Sequence, residues 1–412
     1  MTASTAGSVA GRLTTIEVFR EPSYRRLWAS GLCMSVARWM DLVTLGWLAL
    51  QLTGSPFMVA LAAFARAAPL MVVGPFTGLV ADRVPRARIL FVAQSTGVVT
   101  ALLLAAIFAG GWGGYWPLVV LEVVFGLMWA LDFPARRTAL YALLGASHVA
   151  QAVLLETVSM QLAKMLGPLA AGLCLARLGP AACFGLMAAV YGAGLAVSSG
   201  LGSRLGGPGV AAPASIAASM RAGLQAAWSS PTVRAVLLVT VAMNTLFFPY
   251  QHMLPVFAQD VLALGPAGLG ALVAADGCGA LLGALALASR RGQLSHRLLF
   301  GGAVMVAPLL LVALSASRWM WVCVGILVLM GVAESSFAAM QSTLVLLAAP
   351  EGVRGGAMGI LSACIGTQPL GTLAIGLLAA ALGAPLAFTI NALAALLVIV
   401  PLAVPLVRSR PA

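Results

Sequence analysis

Charged residues are scarce in this sequence of 412 residues. Only 8% of the residues are Asp, Glu, Lys or Arg, whereas 61% are hydrophobic, and the mean hydropathy is +1.04. A soluble domain of this length cannot remove so much apolar surface from water. The composition therefore excludes an ordinary soluble protein.

Several residue patterns that carry chemistry are also missing. The three histidines, His148, His252 and His296, are too far apart in the sequence to suggest a metal site or a catalytic triad. The six cysteines are scattered without metal spacing or a disulfide framework, which favours small side chains in helix packing. No stretch resembles an ATP-binding loop of the Gly-x-x-x-x-Gly-Lys-Ser/Thr type. We expect no enzyme activity and no cofactor.

What the sequence does contain is long apolar blocks. Blocks of about 20 to 25 residues are long enough to cross a hydrocarbon core as helices. We predict twelve spans, at 27–50, 58–81, 89–109, 116–135, 149–175, 182–201, 233–256, 268–289, 298–316, 320–344, 356–382 and 386–407. The first 26 residues are polar and basic, and the block that follows is too long for a signal-peptide core.

The basic residues predict the orientation of these spans. When the spans are numbered from a cytoplasmic N-terminus, 18 of the 23 Lys and Arg residues lie in tails and loops on that side. Only Arg177 and Arg318 lie in loops on the other side, and Arg38, Arg66 and Lys164 lie inside spans. This bias predicts that both termini are cytoplasmic. The net charge of +12 thus indicates orientation and contact with anionic lipid rather than nucleic acid.

An internal repeat divides the chain. Residues 167–184 and 371–388 are identical at 9 of 18 positions with a constant offset of 204 residues. We predict an all-α protein of two pseudo-symmetric six-helix halves, as in transporters whose halves rock about a midplane site. The predicted parts are a cytoplasmic tail at 1–26, a half at 27–201, a Gly- and Pro-rich cytoplasmic linker at 202–232, a half at 233–407 and a tail at 408–412.

One short charged segment stands between the second and third spans. This segment is Gly78–Arg88, and four of its eleven residues are charged. Gly78 permits close helix approach, and Asp82 can accept hydrogen bonds from Arg side chains where the span leaves the membrane. For the arginines alone, an ordinary cytoplasmic loop is an equally good interpretation. The Gly-x-x-x-Asp-Arg spacing with a further Arg three residues later is more specific.

This segment resembles the loop signature of the major facilitator superfamily, Gly-x-Leu-Ala-Asp-Arg-x-Gly-Arg-Lys/Arg. The matching residues are Gly78, Asp82, Arg83, Arg86 and Arg88, while Pro85 replaces a Gly. Further motifs resemble the branch of enterobactin-type siderophore exporters and macrolide-efflux proteins. They are Thr-Gly-Ser-Pro at 53–56, Arg66 with Pro69, Asp-Phe-Pro-Ala-Arg at 132–136, and Pro350 with Arg354 and Gly355.

The resemblance covers most of the chain and implies a function. We expect a proton-coupled exporter of a small amphipathic molecule, siderophore or drug, working by alternating access as a monomer in the bacterial inner membrane. Gly167-Pro168 in the fifth span partly resembles an antiporter motif, although a kinked packing face explains it equally well. The alternatives are an uptake symporter or uniporter of the same fold and a membrane sensor that does not transport.

The resemblance also implies a gate. In the superfamily, the loop Asp is thought to pair with an Arg at the cytoplasmic end of the fourth span while the site faces outward. The corresponding residues here are Asp82 and Arg136. Asp132 lies one helical turn before Arg136 and can share it. We therefore expect a switchable charge cluster rather than a static pair.

Charged residues inside the spans are candidate functional residues because burying charge in lipid is costly. Arg38 and Asp41 share one helix face, and Arg66 lies at a similar depth, so the three form either a functional cluster or a structural ion pair. Asp276 and Glu334 have no cation nearby in sequence. A buried carboxyl without a fixed partner can load and release a proton, although it can also hydrogen-bond to a neighbouring helix or contact a substrate.

These considerations give two predicted sets of residues. For proton coupling we predict Asp41, Asp276 and Glu334. A polar and aromatic run in the seventh span suits a bulky amphipathic ligand, or else an interfacial position. For substrate binding we predict Arg38, Arg66, Glu122, Lys164, Asn244, Phe248 and Gln251.

Overall fold

The structure is a computed structural model that describes residues 17–201, 224–225, 228, 230–289, 295–350 and 353–408. A 3-10 turn at Glu17–Arg20 precedes the first helix, and within the described residues the chain is helical without a β-strand. The helices are α1 (Pro22–Thr53), α2 (Pro56–Arg83), α3 (Arg86–Ala109), α4 (Tyr115–Ser198), α5 (Pro231–Ala242), α6 (Tyr250–Asp260), α7 (Pro266–Ser289), α8 (His296–Ala316), α9 (Met320–Ala348), α10 (Arg354–Ile365), α11 (Gln368–Leu382) and α12 (Ala384–Arg408).

Local sequence signals set several helix ends. The carboxylate of Glu21 accepts a hydrogen bond from the backbone N–H of Ser23 at 3.3 Å, which caps the start of α1. At the other end, Gly54 has a left-handed φ of 62°, and its N–H donates to the carbonyl of Leu50 at 2.7 Å. A residue with a Cβ is strained in this conformation, so glycine suits the turn into α2.

The helices have the length and composition of membrane spans. Within the described residues, ten helical segments are long and apolar enough to cross a membrane, and Pro56–Val72 is a shorter apolar helix. A helix satisfies its own backbone hydrogen bonds, which lipid cannot do. Large apolar side chains such as Leu173, Leu282 and Leu397 are exposed on the surface of the bundle, as expected of groups that face lipid.

Helix α4 reverses direction twice although its residues remain helical. The Nε of Arg137 lies 3.4 Å from the Oε2 of Glu156, and the thiol of Cys183 lies 3.9 Å from the carbonyl of Ala171. A straight helix would separate these pairs by about 28 Å and about 18 Å. The second reversal contains Gly179, whose φ is 81°. Helical turns therefore continue through residues 136–148 and 176–181, which separate the predicted spans.

Two predicted spans are interrupted instead of continuous. After α5, the chain forms a π-helical turn at Met243–Phe247 and passes through Pro249 before α6 begins. Proline has no N–H to continue the hydrogen-bond ladder. Similarly, the predicted eleventh span is divided between α10 and α11, with Gly366 and Thr367 between them and Pro369 just inside α11. Polar side chains on α6 and α11 follow these interruptions directly.

The repeated glycines have matching environments in the two parts of the chain. We call residues 17–201 the N-terminal segment and residues 230–408 the C-terminal segment. A Cβ at Gly167 would meet the backbone of Val36 in α1, and a Cβ at Gly371 would meet the backbone of Thr245 in the π-helical turn. Each glycine thus lets a helix approach the first helical region of its own segment.

Two further repeated glycines pack across the segments. A Cβ at Gly172 of α4 would meet Pro266 and Gly270 of α7, and a Cβ at Gly376 of α11 would meet Ala60 of α2. Gly383 has a φ of 82°, like Gly179 in the N-terminal segment. The same crosswise contact therefore occurs twice, and the two segments meet along α4 with α7 and along α2 with α11.

Candidate functional site

A cavity of about 170 Å³ lies where the two segments meet. Its polar and aromatic wall includes Arg38, Trp39 and Arg66 from α1 and α2. The facing wall includes Gln251 and His252 from α6 and Gln368 and Thr372 from α11, and apolar residues complete the enclosure. Both segments contribute to the cavity, so a relative movement of the segments would change its shape.

A buried ion-pair cluster lies behind the N-terminal wall of this cavity. The Nε of Arg66 lies 2.5 Å from Oδ2 of Asp41 and 3.2 Å from Oε2 of Glu122. Both carboxylate side chains are 0% exposed, whereas the Arg66 side chain is 16% exposed. We call these three residues the Arg66 cluster. All three belong to the N-terminal segment, and one guanidinium forms ion pairs with two carboxylates.

Arg38 does not join this cluster by an ion pair, although the sequence groups it with Asp41 and Arg66. Its guanidinium carbon lies 4.0 Å from the ring centroid of Trp129 and 6.0 Å from that of Trp39. Within the described part of the chain, Arg38 makes no salt bridge. Cation–π stacking covers the face of a guanidinium and leaves its N–H edge available.

A second buried cluster joins the two segments. The Nζ of Lys164 lies 2.7 Å from Oδ2 of Asp276 and 2.9 Å from Oε2 of Glu334. The hydroxyl of Tyr250 donates to Oε1 of Glu334 at 3.0 Å, and the amide of Gln251 donates to Oε2 of Glu334 at 3.2 Å. We call these five residues the Lys164 cluster. Lys164 comes from the N-terminal segment, and the other four come from the C-terminal segment.

The Lys164 cluster supplies a cation that the sequence near Asp276 and Glu334 lacks. The reversals of α4 bring Lys164 against α7, where a Cβ at Gly277 would meet the Lys164 backbone. Small residues at this contact let the two helices approach closely. One ammonium faces two carboxyl groups, so the cluster contains one more acid than base.

Two side chains connect the cavity with the Lys164 cluster. Gln251 lines the cavity and also donates its amide to Asp276 at 3.4 Å and to Glu334. Trp39 lines the cavity, and its ring centroid lies 5.4 Å from the Nζ of Lys164. A ligand in the cavity would therefore touch groups that hold the carboxyl pair in place.

The predicted gate region contains a further ion pair. Arg136 donates from Nε and Nη2 to the carboxylate of Asp132 at 3.0 and 2.9 Å, and from Nη1 to the Leu27 carbonyl and the Ser30 hydroxyl at 2.9 and 3.0 Å. Four of its five N–H groups are thus used. The surroundings of Gly78 and the side chains of Asp82 and Arg83 lie outside the described part of the structure, so the pairing of Asp82 with Arg136 stays a prediction.

Pro85 has a clear position in the backbone. It precedes α3 with φ −53° and ψ 128°, and its carbonyl accepts hydrogen bonds from the N–H groups of Arg88 at 2.9 Å and Ile89 at 3.2 Å. Its missing N–H costs nothing there because helix starts leave N–H groups unpaired. Arg86 is partly buried and Arg88 is exposed.

The remaining predicted residues lie away from the cavity wall. Asn244 in the π-helical turn donates its amide to the Thr240 carbonyl of α5 at 2.9 Å, and the ring centroid of Phe248 lies 5.9 Å from that of Phe337. Glu122 and Lys164 belong to the two ion clusters. Conversely, the substrate-binding prediction omits Trp39, His252, Gln368 and Thr372. The signal for Gln368 was a polar residue before a proline inside an apolar span.

A bundle of membrane-length helices, with buried charge clusters and a cavity between two repeated segments, defines a polytopic membrane transporter. The profile of the transmembrane secretion effector family matches residues 13–410, and this chain belongs to that family within the major facilitator superfamily. It is thus a transporter and not an enzyme.

Curated relatives agree with this assignment. The chain is 24% identical over 377 residues to the multidrug efflux pump Tap of Mycobacterium tuberculosis, with 88% of each chain covered. It is 32% identical over 254 residues to an uncharacterized transporter of the superfamily, y4rN of Sinorhizobium fredii, covering 59% of this chain and 61% of the relative. A match to YfiS of Bacillus subtilis, at 30% over 151 residues, spans only 36% of this chain and 35% of that protein.

Solved structures share the fold at low identity. A bacterial homolog of the human lysosomal transporter Spinster, in an inward-facing and unoccupied conformation, has a TM-score of 0.71 at 14% identity, covering 95% of this chain and all of that chain. A POT family transporter in complex with 5-aminolevulinic acid has a TM-score of 0.76 at 11% identity, covering 94% and 96%. At these identities the likeness defines the fold alone.

Proposed function

We propose that this transporter is a proton-coupled antiporter that exports a small amphipathic molecule, of the siderophore or drug class, by alternating access. Relatives named as efflux pumps support the direction of transport. The chain itself supports the proton coupling through the Lys164 cluster.

The carboxyl pair of this cluster carries the proposal. One ammonium neutralises one carboxylate, and a net negative charge buried in a membrane protein is costly. A proton on Asp276 or Glu334 would balance the cluster. When the segments separate, Lys164 would leave the carboxyl pair, and the proton affinity of that pair would change. Proton binding and segment movement are thereby linked.

The transporter's place in the membrane forms part of the proposal. We infer twelve crossings, with both termini, the tail at 1–26 and the linker at 202–232 in the cytoplasm of a bacterium. The ten membrane-length segments support this number when the reversal at Gly179 divides Ala152–Leu201 into two crossings and α2 supplies one more. The basic bias of the predicted loops supports the orientation. We further propose a monomer in the inner membrane that uses no cofactor.

The gate is proposed at the ends of α2 and α4. Arg136 has one N–H group left after its bonds to Asp132, Leu27 and Ser30, and Asp82 is the proposed acceptor. Arg83, Arg86 and Arg88 would lie at the lipid headgroups. An Asp82→Asn variant that transports at the wild-type rate, at normal expression, would show that this latch is wrong.

The test of proton exchange uses everted membrane vesicles. Respiration acidifies the vesicle lumen, and an acridine dye reports the pH gradient by quenching. A panel of amphipathic siderophores and drugs is added, and we expect at least one compound to restore fluorescence by driving proton efflux through the antiporter. Glu334→Gln should abolish this response, whereas Arg318→Gln, which removes an exposed arginine from the turn between α8 and α9, should retain it.

An uncoupler provides the decisive control. Accumulation of the active compound in the vesicles should collapse when the uncoupler is added. Accumulation that persists without a proton gradient, or a full response from Glu334→Gln, would contradict proton antiport.

A further inference from the structure

The cavity between the segments has charge of only one sign on its wall. Arg38 and Arg66 line it, together with neutral polar side chains from the C-terminal segment. None of the described residues that line it is Asp or Glu. A low-dielectric cleft with one sign of charge concentrates ligands of the opposite sign.

The two arginines are not equivalent. Arg66 already faces two carboxylates, Asp41 and Glu122, which are 0% exposed and cannot meet a ligand in the cavity. Arg38 makes no salt bridge within the described residues, and its guanidinium face stacks on Trp129. Its planar N–H edge is the shape that recognises a carboxylate with two parallel hydrogen bonds. Arg38 is therefore the cation that is available to a ligand.

The size and the remaining wall define the rest of the ligand. A cavity of about 150 Å³ is known to hold one benzene molecule, and this one is about 170 Å³. Trp39 contributes an aromatic surface, and Gln368 and Thr372 contribute hydrogen-bonding groups on the opposite side. One aromatic ring that carries an acidic group would fit this combination.

We propose that the cavity binds an aromatic carboxylate, either a molecule of benzoate size or an arylcarboxylate head group of a larger substrate, with the carboxylate against Arg38. This inference rests on the proposed transport function and names the charge and shape of its substrate. It separates two roles, because the substrate anion meets Arg38 while the proton resides in the Lys164 cluster.

The test measures binding rather than transport. Full-length protein in lipid nanodiscs is equilibrated with radiolabelled benzoate, and empty nanodiscs give the background. Benzoate, neutral benzamide and cationic benzylammonium have the same ring and differ in charge, so each is used as an unlabelled competitor. We expect benzoate to compete at least about tenfold better than benzamide, as one charge-assisted hydrogen-bonded pair allows, and benzylammonium not to compete.

Variants of Arg38 test whether this residue is responsible for benzoate binding. Arg38→Gln should weaken benzoate binding roughly tenfold or more. Arg38→Lys keeps the charge but loses the planar guanidinium that makes two parallel hydrogen bonds, so it should weaken binding less. Arg318→Gln is the matched control and should bind as wild type. If Arg38→Gln does not fold, competition by the three compounds on the wild-type protein still shows whether the cavity prefers an aromatic carboxylate.

Three results would overturn the proposal. They are an absence of benzoate binding to folded protein, competition by benzylammonium equal to or better than that by benzoate, and unchanged benzoate affinity in folded Arg38→Gln. The vesicle assay distinguishes these from a failure of proton antiport. Benzoate binding without proton exchange would contradict the antiport alone, and proton exchange without benzoate binding would contradict the arylcarboxylate site alone.

Discussion

The Arg66 cluster and the Lys164 cluster differ in which parts of the chain they join. Asp41, Arg66 and Glu122 come from three helices of one segment. In contrast, Lys164 reaches from the N-terminal segment to Asp276 and Glu334 of the other. A movement of one segment against the other can leave the first cluster intact, but it must stretch or break the second. We therefore interpret the first cluster as a brace, meaning a structural contact that stabilises one segment. We interpret the second cluster as a moving contact, meaning one that forms and breaks as the segments move.

The clusters also differ in their charge balance. Each cluster contains one cation and two carboxyl groups, but a further cation, Arg38, lines the same cavity as Arg66. Although Arg38 makes no ion pair, its charge offsets the second carboxylate of the Arg66 cluster, whereas the Lys164 cluster becomes neutral by binding a proton. Buried carboxyl groups in one protein can therefore have separate roles according to their partners.

The largest expected effect is loss of the brace. Arg66→Met leaves two fully buried carboxylates without their cation, and removal of one partner from a buried ion pair costs about 3–5 kcal/mol. We expect a large fall in the midpoint of thermal unfolding of the purified protein. Adding Asp41→Asn and Glu122→Gln to this variant should restore much of the loss. Equal stability of Arg66→Met and wild type would contradict a bracing role.

A smaller and pH-dependent effect is expected at Lys164. In Lys164→Met, both carboxyl groups must bind protons to be neutral, so the folded state holds more protons than the unfolded state at neutral pH. Stability should therefore fall as pH rises through the range in which these carboxyl groups lose their protons, by up to about 1.4 kcal/mol per pH unit for each extra proton. Thermal unfolding across this pH range measures the slope.

The control for this prediction keeps the positive charge. Lys164→Arg should follow the wild-type pH profile, and Lys164→Met combined with Asp276→Asn should show a shallower slope than Lys164→Met alone. A Lys164→Met profile parallel to that of wild type would mean that the carboxyl pair does not depend on this cation.

Much of the fold followed from the sequence because lipid imposes strong and local constraints. The apolar blocks predicted membrane-length helices, and two glycines that align in the repeat, Gly172 and Gly376, have matching packing positions in the structure. The ends of the helices were harder to predict from the sequence. The helical turns through Arg136 and Arg137, and the breaks near Pro249 and Gly366, lie where hydrophobicity alone reports only the end of an apolar block or its continuation.

Of the candidate site, the sequence predicted mainly which charged residues take part. Buried charges are rare enough that Asp41, Arg66, Asp276 and Glu334 could be selected from the sequence. The pairing of Asp41 with Arg66 also followed from their similar depth in the first two spans. The partner of Asp276 and Glu334 did not, because contact between Lys164 and Glu334 depends on how two distant helices pack across the segments. The cavity wall was harder still. Thr372 and Trp39 carry no charge, and their position in the wall is set by the interruption before α11 and the orientation of α1.

The smallest expected effects concern two repeated glycines of α4. A side chain at Gly167 would meet α1 of its own segment, and one at Gly172 would meet α7 of the other. Gly167→Val should therefore lower stability, by roughly 1–3 kcal/mol as overpacking usually does. Gly172→Val can relieve its clash by separating the segments, so it should shift their equilibrium instead. A shift of about 1 kcal/mol changes the ratio of closed to open molecules about fivefold.

Crosslinking across the segments distinguishes the two outcomes. The side chains of Gln51 and Gln259 meet at 2.5 Å from opposite segments, so a short bifunctional thiol reagent should crosslink cysteines at both positions when the ends of α1 and α6 are close together. Gly172→Val should slow this crosslink while Gly167→Val leaves it unchanged in the molecules that remain folded. Gly192→Ala, with no neighbour within 4 Å among the described residues, is the control. Equal crosslinking in Gly172→Val and wild type would mean that α4 and α7 do not separate as the segments move, and the Lys164 cluster would then be a second brace rather than a moving contact.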